Sequence, residues 1–191
     1  DQGVWLWNTD SSRIVARLQG HMNDVLTLAF SPDGKALVSG GRDGQLKLWN
    51  TSPGTNESFL PFTSGVTRVK ITRNGRIGMA KYQHGIEVWD MTERRFLGIA
   101  ATNGATHVQN FTSDEHRLAL GMANGDVRIF SLNPFGEVVG LTGGHTKGID
   151  SLTFSPDGKL VASADFSGQI LVRTWANGQQ IAQWKVPSGF C

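Results

Sequence analysis

The sequence predicts an all-β fold in which a four-stranded antiparallel unit recurs along the chain. Short apolar runs rich in Val, Leu, Phe and Trp are bounded by Pro, Asp and Gly clusters, a pattern typical of β-strands joined by turns. Within residues 20–50, Ser31-Pro32-Asp33-Gly34 suits a tight turn and Asp43-Gly44 is a two-residue hairpin signal. Ser155-Pro156-Asp157-Gly158 then reproduces the first turn 155 − 31 = 124 residues later. The chain is therefore expected to be a repeat protein.

The spacing of further residues indicates the kind of repeat. Gly144-His145 follows Gly20-His21 at the same distance as the two turns, and three repeats of about 41 residues fit that gap, the period of propeller blades. An aromatic residue ends the third strand of four successive units: Trp7, Trp49, Trp89 and Phe130. Arg173 breaks this rule in the next unit. The combination of Gly-His, Ser-Pro-Asp-Gly, an Asp-Gly turn and Trp resembles the WD40-repeat β-propeller family, which implies a propeller with four-stranded antiparallel blades.

The resemblance also divides the chain into blades. Residues 1–20 are expected to form half a blade, and the repeats are then 21–61, 62–101, 102–143 and 144–191. The predicted strands are 4–7, 14–18, 25–30, 36–40, 45–50, 57–60, 66–71, 76–80, 86–89, 96–99, 106–111, 118–122, 127–130, 138–141, 149–154, 160–163, 170–172 and 180–184. Four and a half blades do not close comfortably into a ring. We therefore expect part of a larger ring, about seven-bladed by the resemblance, covalently attached to further blades or domains.

Composition argues against several classes of protein. The net charge is only +2, and no basic run is longer than Arg94-Arg95, so a nucleic-acid partner is not indicated. The single cysteine, Cys191, cannot form an internal disulfide and fits a reducing compartment, so a cytoplasmic location is expected. No apolar stretch approaches the length of a membrane span.

One repeat carries a complete set of polar residues that the resemblance interprets as structural. In the WD40 family, residues at the positions of His21, Ser39, Asp43 and Trp49 form a hydrogen-bond network that runs from Asp to His, from His to Ser and from Ser to Trp. The chemistry is sensible because a carboxylate fixes the tautomer of the imidazole, and the indole N–H finds an acceptor in the serine.

The other repeats depart from this set. The fourth keeps His145 and Ser163, but Ser167 and Arg173 stand at the places of the Asp and the Trp. The second and third have mostly different residues there: Phe62, Ala80, His84 and Trp89, and then Thr102, Leu120, Asn124 and Phe130. The prediction is therefore one complete network among four repeats, with the remaining stability coming from apolar packing.

The same residue types could be mistaken for a hydrolase site. Both His21, Ser39 and Asp43 and the later set of His145, Ser163 and Asp165 contain the components of a catalytic triad. However, each serine lies within a predicted strand, and no Gly-x-Ser-x-Gly elbow is present. No catalytic residue is predicted. The five histidines lack metal-ligand spacing, and neither a dinucleotide fingerprint nor a phosphate loop occurs, so no metal and no cofactor are predicted.

A binding function is predicted from the loops. The resemblance places five residues in turns or loops at one face of the propeller, where they are candidates for partner binding: Asn23, Arg42, Gln83, Lys147 and Phe166. Exposed Arg and aromatic side chains are enriched in protein-binding hot spots. The preferred interpretation is a protein- or peptide-binding scaffold or sensor module within a larger protein or complex. A propeller enzyme, hydrolase or lyase, and a nucleic-acid-binding propeller remain the alternatives.

Overall fold

The computed structural model describes residues 3–51, 58–61, 65–72, 76–81, 85–91, 93, 95–101 and 104–186. These residues form eighteen β-strands. In chain order they are β1 (Gly3–Asn8), β2 (Arg13–Gln19), β3 (Val25–Phe30), β4 (Ala36–Gly41), β5 (Gln45–Asn50), β6 (Ser58–Pro61), β7 (Val66–Ile71), β8 (Arg76–Lys81), β9 (Gly85–Asp90), β10 (Arg95–Ala101), β11 (Ala105–Phe111), β12 (Arg117–Met122), β13 (Val127–Leu132), β14 (Phe135–Leu141), β15 (Ile149–Phe154), β16 (Leu160–Asp165), β17 (Gln169–Thr174) and β18 (Gln180–Lys185). Every predicted strand is present.

The strands are arranged in sheets of neighbours along the chain. One two-stranded sheet, β1-β2, precedes four four-stranded sheets with the orders β3-β4-β5-β6, β10-β9-β8-β7, β11-β12-β13-β14 and β15-β16-β17-β18. The pairs with a recorded register are antiparallel. The predicted all-β architecture of four-stranded antiparallel blades is thus confirmed. Across the described residues, the fold contains no helix with the length and hydropathy needed to cross a membrane.

The Ser-Pro-Asp-Gly turns have the same geometry in both of their occurrences. The amide of Gly34 donates to the carbonyl of Ser31 at 2.9 Å, and the amide of Gly158 donates to Ser155 at the same distance. Both glycines have a positive φ, 69° and 70°, a conformation that side chains with a Cβ rarely adopt. The turn therefore joins the first and second strands of these two blades identically, so that residues 124 positions apart are structurally comparable.

Contacts divide the chain into two compact units, Asp1–Phe96 and Leu97–Cys191. In the first unit, one core cluster packs β3-β6 against the following sheet: Val38, Leu46, Val66, Val69 and Trp89. A second cluster of Val4, Leu37 and Trp49 joins the β1-β2 sheet to it. In the second unit, a larger cluster packs the sheet β11-β14 on the sheet β15-β18: Ala119, Val127, Ile129, Leu141, Ile149, Leu152, Phe154 and Val161.

Central strands are buried on both of their faces. Five successive residues of β4, Leu37 to Gly41, are buried, and β12 shows the same pattern. A strand covered by other sheets on both sides needs no polar face, which explains why the apolar runs in the sequence are continuous rather than alternating. Polar groups that are buried on the inner strands therefore need hydrogen-bond partners within the protein.

Strand β14 begins three residues earlier than predicted. The sequence suggested a start at residue 138, but Phe135 already pairs with Leu132 of β13. The ring of Phe135 stacks on that of Phe130, with centroids 6.1 Å apart and planes inclined by 12°. This stacking gives Phe135 a packing partner that the local sequence pattern did not reveal.

Candidate functional site

The predicted network of the first complete repeat is present. Trp49 Nε1 donates to Ser39 Oγ at 2.7 Å, and Ser39 Oγ lies 2.6 Å from His21 Nε2. His21 Nδ1 lies 2.9 Å from Asp43 Oδ2. Since a carboxylate can only accept, Nδ1 must carry the imidazole proton, and Nε2 is left to accept from the serine hydroxyl. The four side chains thus form one continuous chain of hydrogen bonds.

Asp43 is the end of this chain and also fixes the backbone around it. Its carboxylate accepts from the amide of Met22 at 2.8 Å and from the amide of Gln45 at 3.0 Å. Burial alone would raise the pKa of Asp43, but these two amides and the ring of His21 outweigh burial and hold that pKa below its ordinary value. The carboxylate therefore stays ionised and joins the loop before β3 to the turn after β4.

The fourth repeat has part of the network: His145 and Ser163 are in contact, as the sequence analysis expected, and Asp165 lies beside them, which it did not expect. His145 Nε2 lies 2.8 Å from Ser163 Oγ, and its Nδ1 lies 3.3 Å from Asp165 Oδ2. The second contact lacks the geometry of a hydrogen bond. Burial lowers the pKa of His145, and the attraction of Asp165 opposes this only in part. Asp165 takes the role that the prediction had looked for at Ser167.

Asp165 reaches the same place as Asp43 from a different position in the chain. It accepts from the amide of Thr146 at 3.3 Å and from the amide of Gln169 at 3.1 Å. Ser167 donates to it through both its amide, at 2.9 Å, and its hydroxyl, at 2.7 Å. Burial would raise the pKa of Asp165, but the Ser167 and Gln169 donors hold it well below the ordinary value.

The carboxylates of Asp43 and Asp165 accept from equivalent amides, although the two residues stand at different positions of their repeats. Thr146 and Gln169 stand 124 positions after the two residues whose amides bind Asp43, whereas Asp165 itself stands 124 positions after Gly41. A Cβ on Gly41 would lie 2.6 Å from His21 Nδ1 and 2.5 Å from Asp43 Oδ1. The space beside the histidine therefore holds a carboxylate from only one of two positions: that of Asp43 in the first complete repeat, or that of Asp165 in the fourth. Because the sequence analysis compared equivalent positions only, it missed Asp165.

The turns between the second and third strands are joined to the neighbouring loop by a repeated backbone bond. We call residues 42–44, 123–125 and 166–168 the hairpin turns. The first amide of each donates to a loop carbonyl: Arg42 to Asp24 at 2.8 Å, Ala123 to Gly104 at 2.6 Å, and Phe166 to Gly148 at 3.1 Å. These three side chains consequently occupy equivalent positions in their blades.

The predicted binding residues of the first unit are less available than expected. Arg42 and Asn23 are exposed, but Arg42 Nη1 lies 3.6 Å from Asp24 Oδ2, so its charge is partly compensated. The side chain of Asn23 accepts from the amide of Asp24 at 2.8 Å. Met22, which the sequence analysis did not select, is 78% exposed beside them. Gln83 lies outside the described residues.

The second unit presents a different surface at the equivalent positions. Phe166 is 71% exposed, and Lys147 is exposed in the loop before β15. Gly148 stands where the first unit has Asp24, and a Cβ there would lie 3.0 Å from the carbonyl oxygen of Ala123. Within the described part of the chain, Lys147 makes no ion pair. We call Lys147, Gly148, Phe166 and Ala123 the turn face of the second unit.

Comparison with known proteins agrees with this geometry. The WD40 family, described as "WD domain, G-beta repeat", matches residues 12–50 and 136–173, two stretches that end at Asn50 and Arg173, at or next to the position of the third-strand aromatic. These two stretches of the chain are WD40 repeats. The β-propeller domain of Cps50 (Swd1) from Myceliophteria thermophila superposes with a TM-score of 0.65 at 17% identity, covering 90% of this chain and 59% of that one. The latter likeness shows the fold alone.

Relatives of known sequence share the repeats over limited parts of their length. Periodic tryptophan protein 2 homolog of Dictyostelium discoideum is 27% identical over 172 residues, which are 85% of this chain and 18% of that protein. Autophagy-related protein 16 of Arabidopsis thaliana is 31% identical over 86% of this chain and 33% of its own length. The small ribosomal subunit protein RACK1 of Caenorhabditis elegans is 30% identical over half of this chain and 29% of its own. This WD40 chain thus spans about a third or less of these relatives.

Two WD40 repeats depart from the family pattern as the sequence suggested. In the third, Leu120 and Phe130 are buried at the places of the serine and the tryptophan, and Asn124 bonds to Asp126 at 2.7 Å instead of to a histidine. In the second, Phe62 and His84 lie outside the described residues, as does Thr102 of the third.

Proposed function

We propose that this WD40 chain is a protein- or peptide-binding module that serves as a scaffold or sensor within a larger protein or complex. The observation that carries the proposal is Phe166, an aromatic side chain 71% exposed on a hairpin turn whose backbone is bonded to the adjacent loop. Aromatic residues on rigid supports provide large contact areas at a low entropic cost. Phe166 is thus the proposed anchor for the partner.

The charges at the turn face indicate what the partner offers. Lys147 makes no ion pair in the described structure, and Gly148 stands where the first unit has Asp24, which pairs with Arg42 there. Gly148 lies close to the backbone of Ala123, since a Cβ on Gly148 would be 3.0 Å from the carbonyl oxygen of Ala123. A segment with an apolar side chain next to a carboxylate would complement this surface. Asn23 and Arg42 of the first unit, and Gln83 by its place in the sequence repeat, are also proposed as partner-binding residues.

We propose no catalytic role for the histidine networks. Ser39 is completely buried, and its Oγ is already engaged by both Trp49 and His21. Ser163 is only 5% exposed. A nucleophile must reach its substrate, and these hydroxyls support the blades instead. In the parts of the chain that are described, no three side chains form a metal-binding group. A cytoplasmic location remains a prediction from the single cysteine.

The experiment is selection of peptides against the full chain from a phage-displayed random library, followed by affinity measurements on synthetic peptides. Phe166→Ala should weaken binding of the selected peptides by about thirtyfold, the loss of a hot-spot side chain of about 2 kcal/mol. Lys147→Glu should weaken the binding of acidic peptides and reduce the salt dependence of their association rate.

The matched control is Ile181→Ala on the outer strand β18, since Ile181 is also a largely exposed apolar residue, at 53%. It should leave peptide affinity unchanged. If Ile181→Ala abolished binding while Phe166→Ala did not, the binding surface would lie on the blade edge, and the proposed function of the turn face would be wrong.

A further inference from the structure

Arg173 is a buried cation that lacks an anionic partner. Its side chain is only 6% exposed, at the position where the first complete repeat has Trp49. The guanidinium donates through Nη2 to the carbonyl of Gly143, and it takes part in no ion pair in the described structure. Burial lowers the pKa of Arg173, and the negative charge of Asp126 opposes this only partly. A buried charge without a counter-ion is costly, so an acceptor for its remaining N–H groups would be strongly favoured.

Arg173 is one of the residues that line an open groove of about 360 Å³. The groove runs between residues 139–142 at the end of β14 and residues 176–178 in the turn between β17 and β18. Gly144 makes room for the arginine, since a Cβ there would collide with Nη2 and lie 2.7 Å from a methyl group of Leu171. The position of Arg173 is therefore built into the backbone of this repeat.

Two further polar side chains surround the groove. Asn177 Oδ1 accepts from the amide of Gln179 at 3.1 Å and from the hydroxyl of Thr174, so the carbonyl side of this amide faces its own turn. Its NH₂ group is left on the opposite side, and it has no acceptor among the described residues. Thr142 adds a hydroxyl at the other wall. The guanidinium of Arg173, the amide of Asn177 and the hydroxyl of Thr142 are thus three side-chain groups of the lining residues that can donate.

We propose that this groove is an anion-binding site, in which Arg173 holds a carboxylate or phosphate oxyanion with help from Asn177 and Thr142. The planar fork of a guanidinium matches two oxygens of either group. Val139 and Leu141 supply apolar wall to the same groove, which suits an oxyanion carried on an organic stem. The site is separate from the turn face and does not depend on the proposed function.

The test is NMR titration of the ¹⁵N-labelled full chain with inorganic phosphate and, separately, with acetate, at constant ionic strength set with chloride. Saturable shifts of the Gly143 amide and of Arg173 Nε–H are expected with at least one anion. Arg173→Gln should weaken that binding by more than tenfold. Preference for phosphate would assign a phosphorylated ligand, and preference for acetate would assign an acidic side chain or a chain terminus.

Two further variants keep the test decisive. Arg173→Trp restores the residue type found at Trp49, and should therefore fold and yet lose the anion response. Arg128→Gln removes an exposed arginine that pairs with Glu137 at 3.8 Å, and should leave the response unchanged. Equal saturation in the wild type and in Arg173→Trp would overturn the proposal, and so would the absence of saturable shifts in the wild type with both anions.

Discussion

Removing the buried carboxylate of the fourth repeat tests the network argument most directly. In Asp165→Gly, four donors lose their acceptor: the amides of Thr146, Ser167 and Gln169, and the hydroxyl of Ser167. His145 also loses the carboxylate that lies 3.3 Å from its Nδ1. A buried donor without a partner costs about 1–3 kcal/mol, although water can reach the more exposed ones. A new glycine adds about 0.5–1 kcal/mol. We therefore expect a loss of about 3–5 kcal/mol in the free energy of unfolding.

The decisive variant moves the carboxylate instead of removing it. Asp165→Gly combined with Ser167→Asp recreates the arrangement of Gly41 and Asp43. Ser167→Asp alone should destabilise the chain, because it places a second carboxylate beside the first. The double variant should regain at least about 2 kcal/mol relative to the sum of the two single changes, a coupling typical of residues that share one interaction.

Urea denaturation of the three variants and the wild type provides the double-mutant cycle. Hydrogen exchange of the Gln169 amide gives a local measurement, since its protection should be lost in Asp165→Gly and return in the double variant. Additive losses, or an unprotected Gln169 amide in the double variant, would show that the two carboxylate positions are not equivalent.

The remaining predictions concern the tryptophan and the titration of the networks. Trp49→Phe should lower the free energy of unfolding by about 1–2 kcal/mol in a urea melt, because it keeps an aromatic ring but removes the indole N–H that donates to Ser39. Trp49→Ala should lower it by about 3–5 kcal/mol. The pKa of His145 is lowered in the folded chain, so acidification below about pH 6.5 protonates the unfolded state first. The free energy of unfolding should therefore decrease as the pH falls below this value, and His145→Gln should flatten that dependence. The lowered pKa values of Asp43 and Asp165 stabilise the fold above about pH 4, and this contribution should be lost as the pH falls towards the folded-state values, as acid melts of the wild type and of Asp43→Asn would show.

The strands could be predicted because their signals are local. Turns such as Ser31-Pro32-Asp33-Gly34 and the repeat period locate the strands without knowledge of what packs on them. The early start of β14 was missed because it depends on Phe135 stacking against Phe130, a contact across two strands. The position at which a strand begins or ends depends on packing against other strands, and the local sequence pattern carries no information about that packing.

The candidate sites were predicted less completely. The network around His21 follows from aligned positions, but that of His145 does not, since Asp165 substitutes for a residue two places further along. A comparison of aligned positions assumes that the same position supplies the carboxylate in every repeat. The structure requires only that some carboxylate lie beside the imidazole, whichever position supplies it. Likewise, Arg173 looked like the simple loss of an aromatic residue, and only the structure shows its contact with Gly143 and its groove.

The repeated backbone bond of the hairpin turns has a consequence for how such a chain can acquire new partners. The bond is made by main-chain N–H and C=O groups, so it makes no demand on the side chain that follows it. The residues that make this bond have very different side chains: a cation in Arg42, a methyl group in Ala123 and an aromatic ring in Phe166. The main-chain atoms of these residues support the turn, and under the proposed function their side chains contact the partner. Mutation at these positions can explore new binding chemistry while the blades keep their stability.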